Sequence, residues 1–577
     1  MINLVQIKKI SCILLLGLIS LLCCNNPKEL TTIMIETDKE IFNPLLEPGV
    51  TGNVSVVGFY SDGSKEIISP YNLSLSAETK VSSGNVEVIS ITENRVIPGE
   101  GGVGTIKAVV IDGDKTITAT KDIVVRPFYR DYHQTLILKL FMGMEGDPVQ
   151  RLVNEPLFQR EHDVICTFAE ALEVIKKVDH LTCQVPKIIY LVGWQKGGHD
   201  HLFPAWDEVN PLLKRDEDTS ALESLRWLIR EAKQYNTSVS LHINMVDAYK
   251  HSPLWEEYLK RDVIAKDRFG NIRSAGIAIK GDSMYHVIYP LEWETGLTQR
   301  RIDGLIDMIP ELKELQTIHV DVFIAQREDG SPISPWHAKP ENGGLTIDKY
   351  VETQRNIFKY WREKGFDVTG EGILWAHPPG EGFYGLQPMA WWYPNDIRLQ
   401  MRIPENLTAR GRTSRTDQGD YRFGSSMHGE ELFLKDQEYL PGFLDMFCKT
   451  TLPWLYLGQH SRVAFIDEVL YYSEGIRAGE EKGKKIVRKG DYVLRENDDL
   501  FVEAVWKEKE IIAYSETGYE NKIWQMPETW KDVKAVDISQ ITIEGTKLIK
   551  ENVVVRNQTL TLTLEKMTGV SIIPSKK

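Results

Sequence analysis

The chain has 577 residues, 42% of them hydrophobic and 26% charged, a composition that excludes wholesale disorder, a collagen-like repeat and a polytopic membrane protein. That length leaves room for roughly three to four domains of about 150 residues, or fewer if one is a large barrel. Acidic residues outnumber basic ones by 82 to 68, a net charge of -14 with no Lys/Arg-rich run, which argues against a nucleic-acid partner because neutralising phosphates needs a basic face.

The N-terminus carries Lys8 and Lys9, then an apolar run from Ile10 to Leu22 that stops at Cys23-Cys24 before Asn25-Asn26-Pro27. A charged start and a short apolar run mark a signal peptide, and the run falls short of the about 20 apolar residues that a spanning helix needs. The Leu-Leu-Cys-Cys ending resembles a bacterial lipoprotein box. That implies a signal peptide over 1–23, a lipid on Cys24 or, one residue earlier, on Cys23, and a tether over 24–30. The expected address is the bacterial cell envelope, with the protein exported and lipid-anchored to a membrane on the outer-membrane, surface or periplasmic side; secretory cleavage without a lipid is the alternative. Beyond that point Cys166, Cys183 and Cys448 show no CxxC spacing, so neither a disulfide framework nor a zinc site is indicated.

Over residues 31–126, short β-branched runs alternate with turn signals such as Ser61-Asp62-Gly63-Ser64 and Asp112-Gly113-Asp114. Period-two alternation at this spacing predicts a small β-sandwich, and the pattern resembles bacterial immunoglobulin-like modules that space a catalytic domain from its anchor. Arg126-Pro127 marks a boundary. Over 127–484 apolar strands alternate with helical stretches, which predicts a parallel sheet, and the span suits a (β/α)8 TIM-like barrel. Its eight predicted strands are 135–140, 187–192, 238–245, 284–289, 317–323, 366–371, 386–392 and 453–457. Alternation returns over 485–577, which predicts a C-terminal β-sandwich. The expected fold is therefore multidomain, α/β plus all-β, with a central barrel flanked by two β-sandwiches.

The fifth predicted strand separates by period two into Ile318, Val320 and Val322 on one face and His319, Asp321 and Phe323 on the other. Packing against helices suits the first set, so the second points into the barrel. The same split turns His242 and Asn244 inward on the third strand, and Asp367, Thr369 and Glu371 on the sixth. A carboxylate inside a barrel is costly unless paired or used. Asp321 and Glu371 thus converge at one mouth, and two facing carboxylates are what glycosidic cleavage requires; structural acids bonded to backbone or Arg are the competing reading. No HExxH or clustered His spacing supports a metal, no dinucleotide fingerprint follows the glycine pairs, and no cofactor is expected.

Five segments then fall in an informative order: Gly197-Gly198-His199-Asp200-His201, the strand from His242 to Tyr249, His319-Val320-Asp321-Val322-Phe323, Thr369-Gly370-Glu371, and Thr450-Thr451-Leu452-Pro453 leading to Gln459-His460. Their order and context resemble glycoside hydrolase family 101, the endo-α-N-acetylgalactosaminidases, which release a galactose-β1,3-N-acetylgalactosamine disaccharide from Ser or Thr of mucin-type glycoproteins. The resemblance implies Asp321 as nucleophile and Glu371 as acid/base. It further implies sugar contacts from His199, Asp200, Asn244, Asp247, Tyr249, His319, Tyr285, Gln459 and His460. The family's His-x-Asn-x-x-Glu-x-Tyr pattern reads here with Asp247 in place of Glu, one methylene shorter. The family's lid tryptophans are missing from Ile277–Tyr285, where Trp336, Trp375, Trp391 or Trp392 could substitute from other loops.

The expected activity is a retaining glycosidase acting on α-linked N-acetylgalactosamine of O-glycosylated proteins or their oligosaccharides. The alternatives are another retaining α-glycosidase such as an α-galactosidase, and a surface glycan-binding lipoprotein without catalysis. Replacing Cys24 with Ser should move the protein from the membrane fraction into the soluble fraction; retention in the membrane with acyl chains found on Cys23 by mass spectrometry would shift the anchor by one residue.

Overall fold

The structure, a computed structural model, describes residues 28–82, 87–144, 164–277, 283–324, 327, 330–371, 390–391, 420–425 and 440–576. Apart from the short stretch 81–85, the chain divides at Val125/Arg126 into two compact units.

In the first unit two sheets enclose one core. One sheet runs Leu30–Thr37, Gly52–Tyr60, Arg95–Pro98, Ile89–Thr92, with Lys65–Ile67 beside the second; the other holds Ile41–Phe42, Lys115–Val125, Gly102–Asp112 and Leu73–Ser82. Strand residues alternate between exposed and buried, and the buried set, including Phe42, Val56, Val96, Ile106, Ala108 and Ile123, fills the space between the sheets. The long hairpin of Gly102–Asp112 and Lys115–Val125 turns at Gly113, whose φ of 61° lies in the left-handed region that favours glycine. This is a β-sandwich.

The second unit is built on parallel strands β1 (Leu136–Phe141), β2 (Lys187–Val192), β3 (Thr237–Ile243), β4 (Thr317–Val320), β5 (Asp367–Glu371) and β6 (Ala390–Trp391), paired in that order. Helices α1 (Phe168–Leu181), α2 (Ala221–Glu231), α3 (Leu297–Met308) and α4 (Ile347–Glu363) lie in the successive connections as far as β5. Each of α1, α2 and α4 starts at a residue whose hydroxyl accepts a backbone N–H of the first turn: Thr167, Ser220 and Thr346. The register lines up Lys139 with Tyr190 and Ser240 on one row, and His242 with His319 and Thr369 on another. Asp367 sits a row lower, at the start of β5, and accepts the backbone N–H groups of Tyr129 and Arg130 at 3.0 and 3.1 Å. Burial pushes its carboxyl up to about 7, so this inward acid anchors the entry to the unit.

The strand expected at 284–289 is not part of the parallel sheet. Ser283–His286 runs antiparallel between Asp247–Ala248 and Ser274–Ile277, while β3 pairs directly with β4. The stretch ends at Tyr289–Glu294, a helix with Pro290 in its first turn, where a missing N–H costs nothing. The strand expected at 453–457 is likewise a helix, α5 (Leu452–Leu457), again with Pro in its first turn and continuous with a π-helical turn over Phe447–Thr451. Every residue of α5 is buried, so its sequence lacks the polar face that distinguishes a helix from a buried strand. Of the seventh predicted strand only 390–391 lie within the described residues, as the parallel neighbour of β5. The inward placement of Phe323 also fails: β4 ends at Val320, and the Phe323 ring packs on Tyr289 and Phe358 at 4.5 and 5.9 Å.

The all-β portion begins at Arg462, earlier than Lys485, because two further hairpins precede that point. A ten-stranded sheet, mostly of antiparallel hairpins, runs from Arg462–Ile466 at one edge to Gly545–Val554 at the other, and a pair of strands, Tyr519–Gln525 and Thr559–Leu564, lies against it through Phe501 stacked on Trp524 at 5.2 Å. Among the described residues no helix is long and apolar enough to cross a membrane. Cys166, Cys183 and Cys448 are buried.

Lys187, the first residue of β2, is buried against Asp179 of α1, and its ammonium also donates to the Tyr235 carbonyl at 2.9 Å. Burial lowers the Lys187 ammonium to about 8 against the pull of Asp179. Removing one partner strands the other charge, so Lys187→Met should cost about 3–5 kcal/mol, whereas the Asp179→Leu/Lys187→Met pair should cost far less; chemical denaturation of the three proteins measures both.

Candidate active site

Asp321 follows β4 directly, and its backbone N–H donates to the Ile243 carbonyl at 2.7 Å, which holds it beside the end of β3. Its carboxylate accepts Val322 N–H at 2.9 Å on Oδ1 and the Asn244 amide at 3.0 Å on Oδ2, with His242 Nε2 at 3.6 Å. The orientation of Asn244 is dictated by its backbone surroundings. Its Oδ1 accepts the N–H groups of Val246 and Asp247 at 2.9 and 2.7 Å; those can only donate, so the amide NH₂ must face the carboxylates. One of its protons goes to Asp321 and the other to Asp247 Oδ2 at 2.6 Å.

The two carboxyls that share this amide are driven apart. Burial works to raise Asp321, but His242, His199, Lys139 and the Val322 N–H outweigh it and hold the group below the usual carboxylate range. Asp247 is pushed well up by burial and by the charges of Asp200 and Asp321. The surroundings thus favour the charged form of Asp321 and the uncharged form of Asp247, a division that suits acid–base or nucleophilic chemistry. Beneath them His242 stacks on His319 at 5.2 Å, and His319 Nδ1 lies 2.7 Å from Thr369 Oγ1. Burial lowers both imidazoles well below their ordinary value, with Lys139 acting in the same sense.

His199 is placed by backbone packing. After β2 the chain approaches Gly143 so closely that a Cβ on Gly193 would lie 1.9 Å from the Gly143 carbonyl; both Gly193 and Gly198 have φ of 73°, and His199 N–H donates to that carbonyl at 2.9 Å. The His199 ring then meets Phe141 and His242 edge-on at 5.4 and 5.5 Å, and Asp200 takes a φ of 57° beside it. Tyr249 is buried next to Phe203, whose ring also contacts His199. His199, His242 and Asp321 offer ligand atoms within 4.8 Å of one another, as do Asp200, Asp247 and Asp321. Among the described residues these are the sets that could hold a cation, and the Asn244 amide and a proton on Asp247 account for the acidic cluster equally well.

Of the predicted residues, Asp321, Asn244, Asp247, His199 and Asp200 thus come together, with Tyr249 behind them and His319 fully buried as floor. Tyr285 does not join them: it faces Ala248 and Trp255 in an apolar cluster, because its strand belongs to the antiparallel side sheet. Gln459 and His460 lie at the opposite end of the strands. Gln459 Nε2 is 3.4 Å from the Gln134 oxygen, just before β1, and His460 packs on Tyr456; α5 being a helix removes the strand that would have carried them to the other mouth. Trp336 packs over Gly270, with Lys339 above its ring. Glu371 ends β5, next to Gly370, which pairs with Val320; its side chain, and Trp375, lie outside the described residues. Two neighbours went unread in the sequence. Lys139, the one cation in the apolar run Leu136–Phe141, is fully buried, and His286 lies with Nε2 3.8 Å from Asp247; an isolated Lys within such a run was the available signal.

Asp321 directly follows a parallel strand and shares the Asn244 amide with Asp247, and the comparisons give the class of this site. The chain is a glycoside hydrolase: residues 158–363 match the model of the endo-alpha-N-acetylgalactosaminidase family. The resemblance read from the sequence motifs therefore holds over that segment, which contains His199, Asp200, His242, Asn244, Asp247 and Asp321 and ends before Glu371. No curated protein sequence matches. Among solved structures, the chain is similar to the alpha-N-acetylgalactosaminidase NagBb from Bifidobacterium bifidum in its GalNAc complex, at 10% identity over 80% of this chain and 92% of that one with a TM-score of 0.42. It is also similar to a maltogenic amylase from S. marinus, at 10% identity over 91% and 80% with a TM-score of 0.41.

The buried imidazoles have a consequence in acid. Burial, with Arg327 and Arg273 nearby, lowers His286 to about 3, while an unfolded His titrates at about 6.5. Between those values the unfolded chain binds a proton the folded one does not, so this contribution to stability is present above about pH 6.5 and is lost as pH falls, by up to about 1.4 kcal/mol per pH unit. Asp367, raised to about 7, acts in the opposite sense, so the comparison isolates the histidine: His286→Gln should lose less stability than the wild type between pH 6.5 and 4.5 in calorimetric melting. Parallel pH dependences would show that His286 is protonated in the folded protein.

Proposed function

We propose that the chain is a retaining glycosidase that cleaves α-linked N-acetylgalactosamine from Ser or Thr of mucin-type glycoproteins, on a (β/α)8 barrel held at the cell envelope by a lipid on Cys24, with the N-terminal β-sandwich as an immunoglobulin-like spacer. The observation that carries the chemistry is Asp321 at the strand ends, fixed by Asn244 and Val322 and lying within the segment that matches the family model. Asp321 attacks the anomeric carbon while Glu371, on the next strand, protonates the departing Ser/Thr oxygen; Glu371 then takes a proton from the water that releases the sugar. An alkoxide leaves poorly without that proton, and such transfer contributes roughly 10²–10⁴-fold. Neutral Asp247, with Asp200 and His199 beside it, offers a mixed set of donors and acceptors for sugar hydroxyls.

The two carboxyls of a retaining pair stand about 5–5.5 Å apart, too close to admit the water an inverting enzyme needs. Proton NMR of an α-linked aryl glycoside reaction should therefore show the α-product first, and a β-product appearing first would overturn Asp321 as nucleophile. Asp321→Asn should abolish turnover on every substrate. Glu371→Gln should lose much less on an activated aryl leaving group, where protonation matters little, provided release of the glycosyl-enzyme is not limiting.

A further inference from the structure

Behind the carboxylates, Asn244 is tied to a buried charge that the chemistry above does not use. Its backbone carbonyl, one residue past the end of β3, accepts Arg301 Nη2 at 3.2 Å, and Nη1 of the same guanidinium donates to Glu292 Oε1 at 2.6 Å. Glu292 is fully buried; its Oε1 also accepts the Tyr258 hydroxyl, and its Oε2 accepts Thr298 Oγ1 at 3.0 Å. The Arg301 guanidinium lies over the Trp206 ring at 3.7 Å, and the Trp206 indole N–H donates to the Arg301 carbonyl at 3.1 Å. Tyr258, Glu292 and Arg301 come from three separate helices, Trp255–Lys260, Tyr289–Glu294 and α3.

A buried ion pair is weak evidence for stability, since apolar residues of similar volume often serve as well or better. The pair at this place has a feature that an apolar replacement lacks. A planar guanidinium can present one nitrogen to a carboxylate and another to a main-chain carbonyl, at fixed spacing and angle. Glu292 sets the plane, Trp206 sets the face, and the remaining edge grips residue 244. The side chain of that same residue holds Asp321 and Asp247 at 3.0 and 2.6 Å, so a tilt of its peptide is passed to both carboxyls.

We propose that Arg301, held by Glu292, is a positioning residue that sets the orientation of Asn244 and, through the Asn244 amide, the line along which Asp321 meets the anomeric carbon. The inference rests on Asp321 being the attacking group. It assigns a role to α3 and to the helix Tyr289–Glu294, which touch neither carboxylate.

Two variants test it. Arg301→Met/Glu292→Met removes both buried charges together, and Arg301→Lys keeps a charge for Glu292 but, as a single point, cannot also hold the carbonyl in plane. On p-nitrophenyl α-N-acetylgalactosaminide the double variant should lose about 10²-fold in kcat per folded enzyme with KM within about threefold of wild type, because misplacement by about 1 Å acts on the chemical step; Arg301→Lys should fall between. Crystal structures of the variants should show the Asn244–Asp321 hydrogen bond lengthened or lost. Wild-type kcat in either folded variant overturns the proposal, as does lost activity with that bond unchanged; a purely structural role would lower the melting temperature and leave kcat and the bond as they are. If the wild type itself does not turn over this substrate, the functional reading fails on that glycoside, and the crystal structures alone decide whether Arg301 orients Asn244.

Discussion

The Asn244 amide is the constraint on which the site depends. Two carboxyls that meet at the end of a parallel sheet would repel each other, and burial makes that repulsion costly. The amide gives each of them one proton and is itself held by two backbone N–H groups that cannot reverse their roles. The surroundings then act unevenly: the imidazoles and Lys139 favour the charged form of Asp321, whereas burial and the neighbouring Asp200 favour the uncharged form of Asp247. A glutamine in place of Asn244 would carry the same groups on a longer stem and could not satisfy the same backbone donors without moving the amide away.

The layering below follows from the register. Polar residues fill the interior of β1 to β5 where a sheet covered by helices is expected to be apolar: Lys139, Tyr190 and Ser240 on one row, His242, His319 and Thr369 on the next. Tyr190 and Tyr132 both contact the Thr317 hydroxyl, and Ser240 donates to the Thr317 carbonyl. This interior is a hydrogen-bonded stack that leads up to the ends of β3 and β4 and the carboxylates beyond them.

Much of this was legible in the sequence because period-two alternation is a strong code. The alternation of Ile318, Val320 with His319, Asp321 placed the acid on the inner face, and the matching split on 241–244 turned Asn244 inward as well. Where the code weakens, the reading failed for identifiable reasons. Leu452–Leu457 is apolar throughout, and both a buried helix and a buried strand satisfy it; with α5 misread, Gln459 and His460 went to the wrong end. Ser283–His286 does form a strand, but strand propensity does not say which sheet it joins, and Tyr285 was misplaced with it. The link from Arg301 to Asn244 spans 57 residues and has no local signature at all.

The connection between β3 and β4 is long, and it returns to the sheet one strand over from where it left. Within it lie Asp247, His286, Glu292 and Arg301, so the second acid, its imidazole neighbour and the brace behind Asn244 all belong to one length of chain. Drift in that length can remodel the pocket wall while β4 and Asp321 stay untouched. Among related chains, divergence in sugar preference would then be inherited as a single segment, separable from the machinery that breaks the bond.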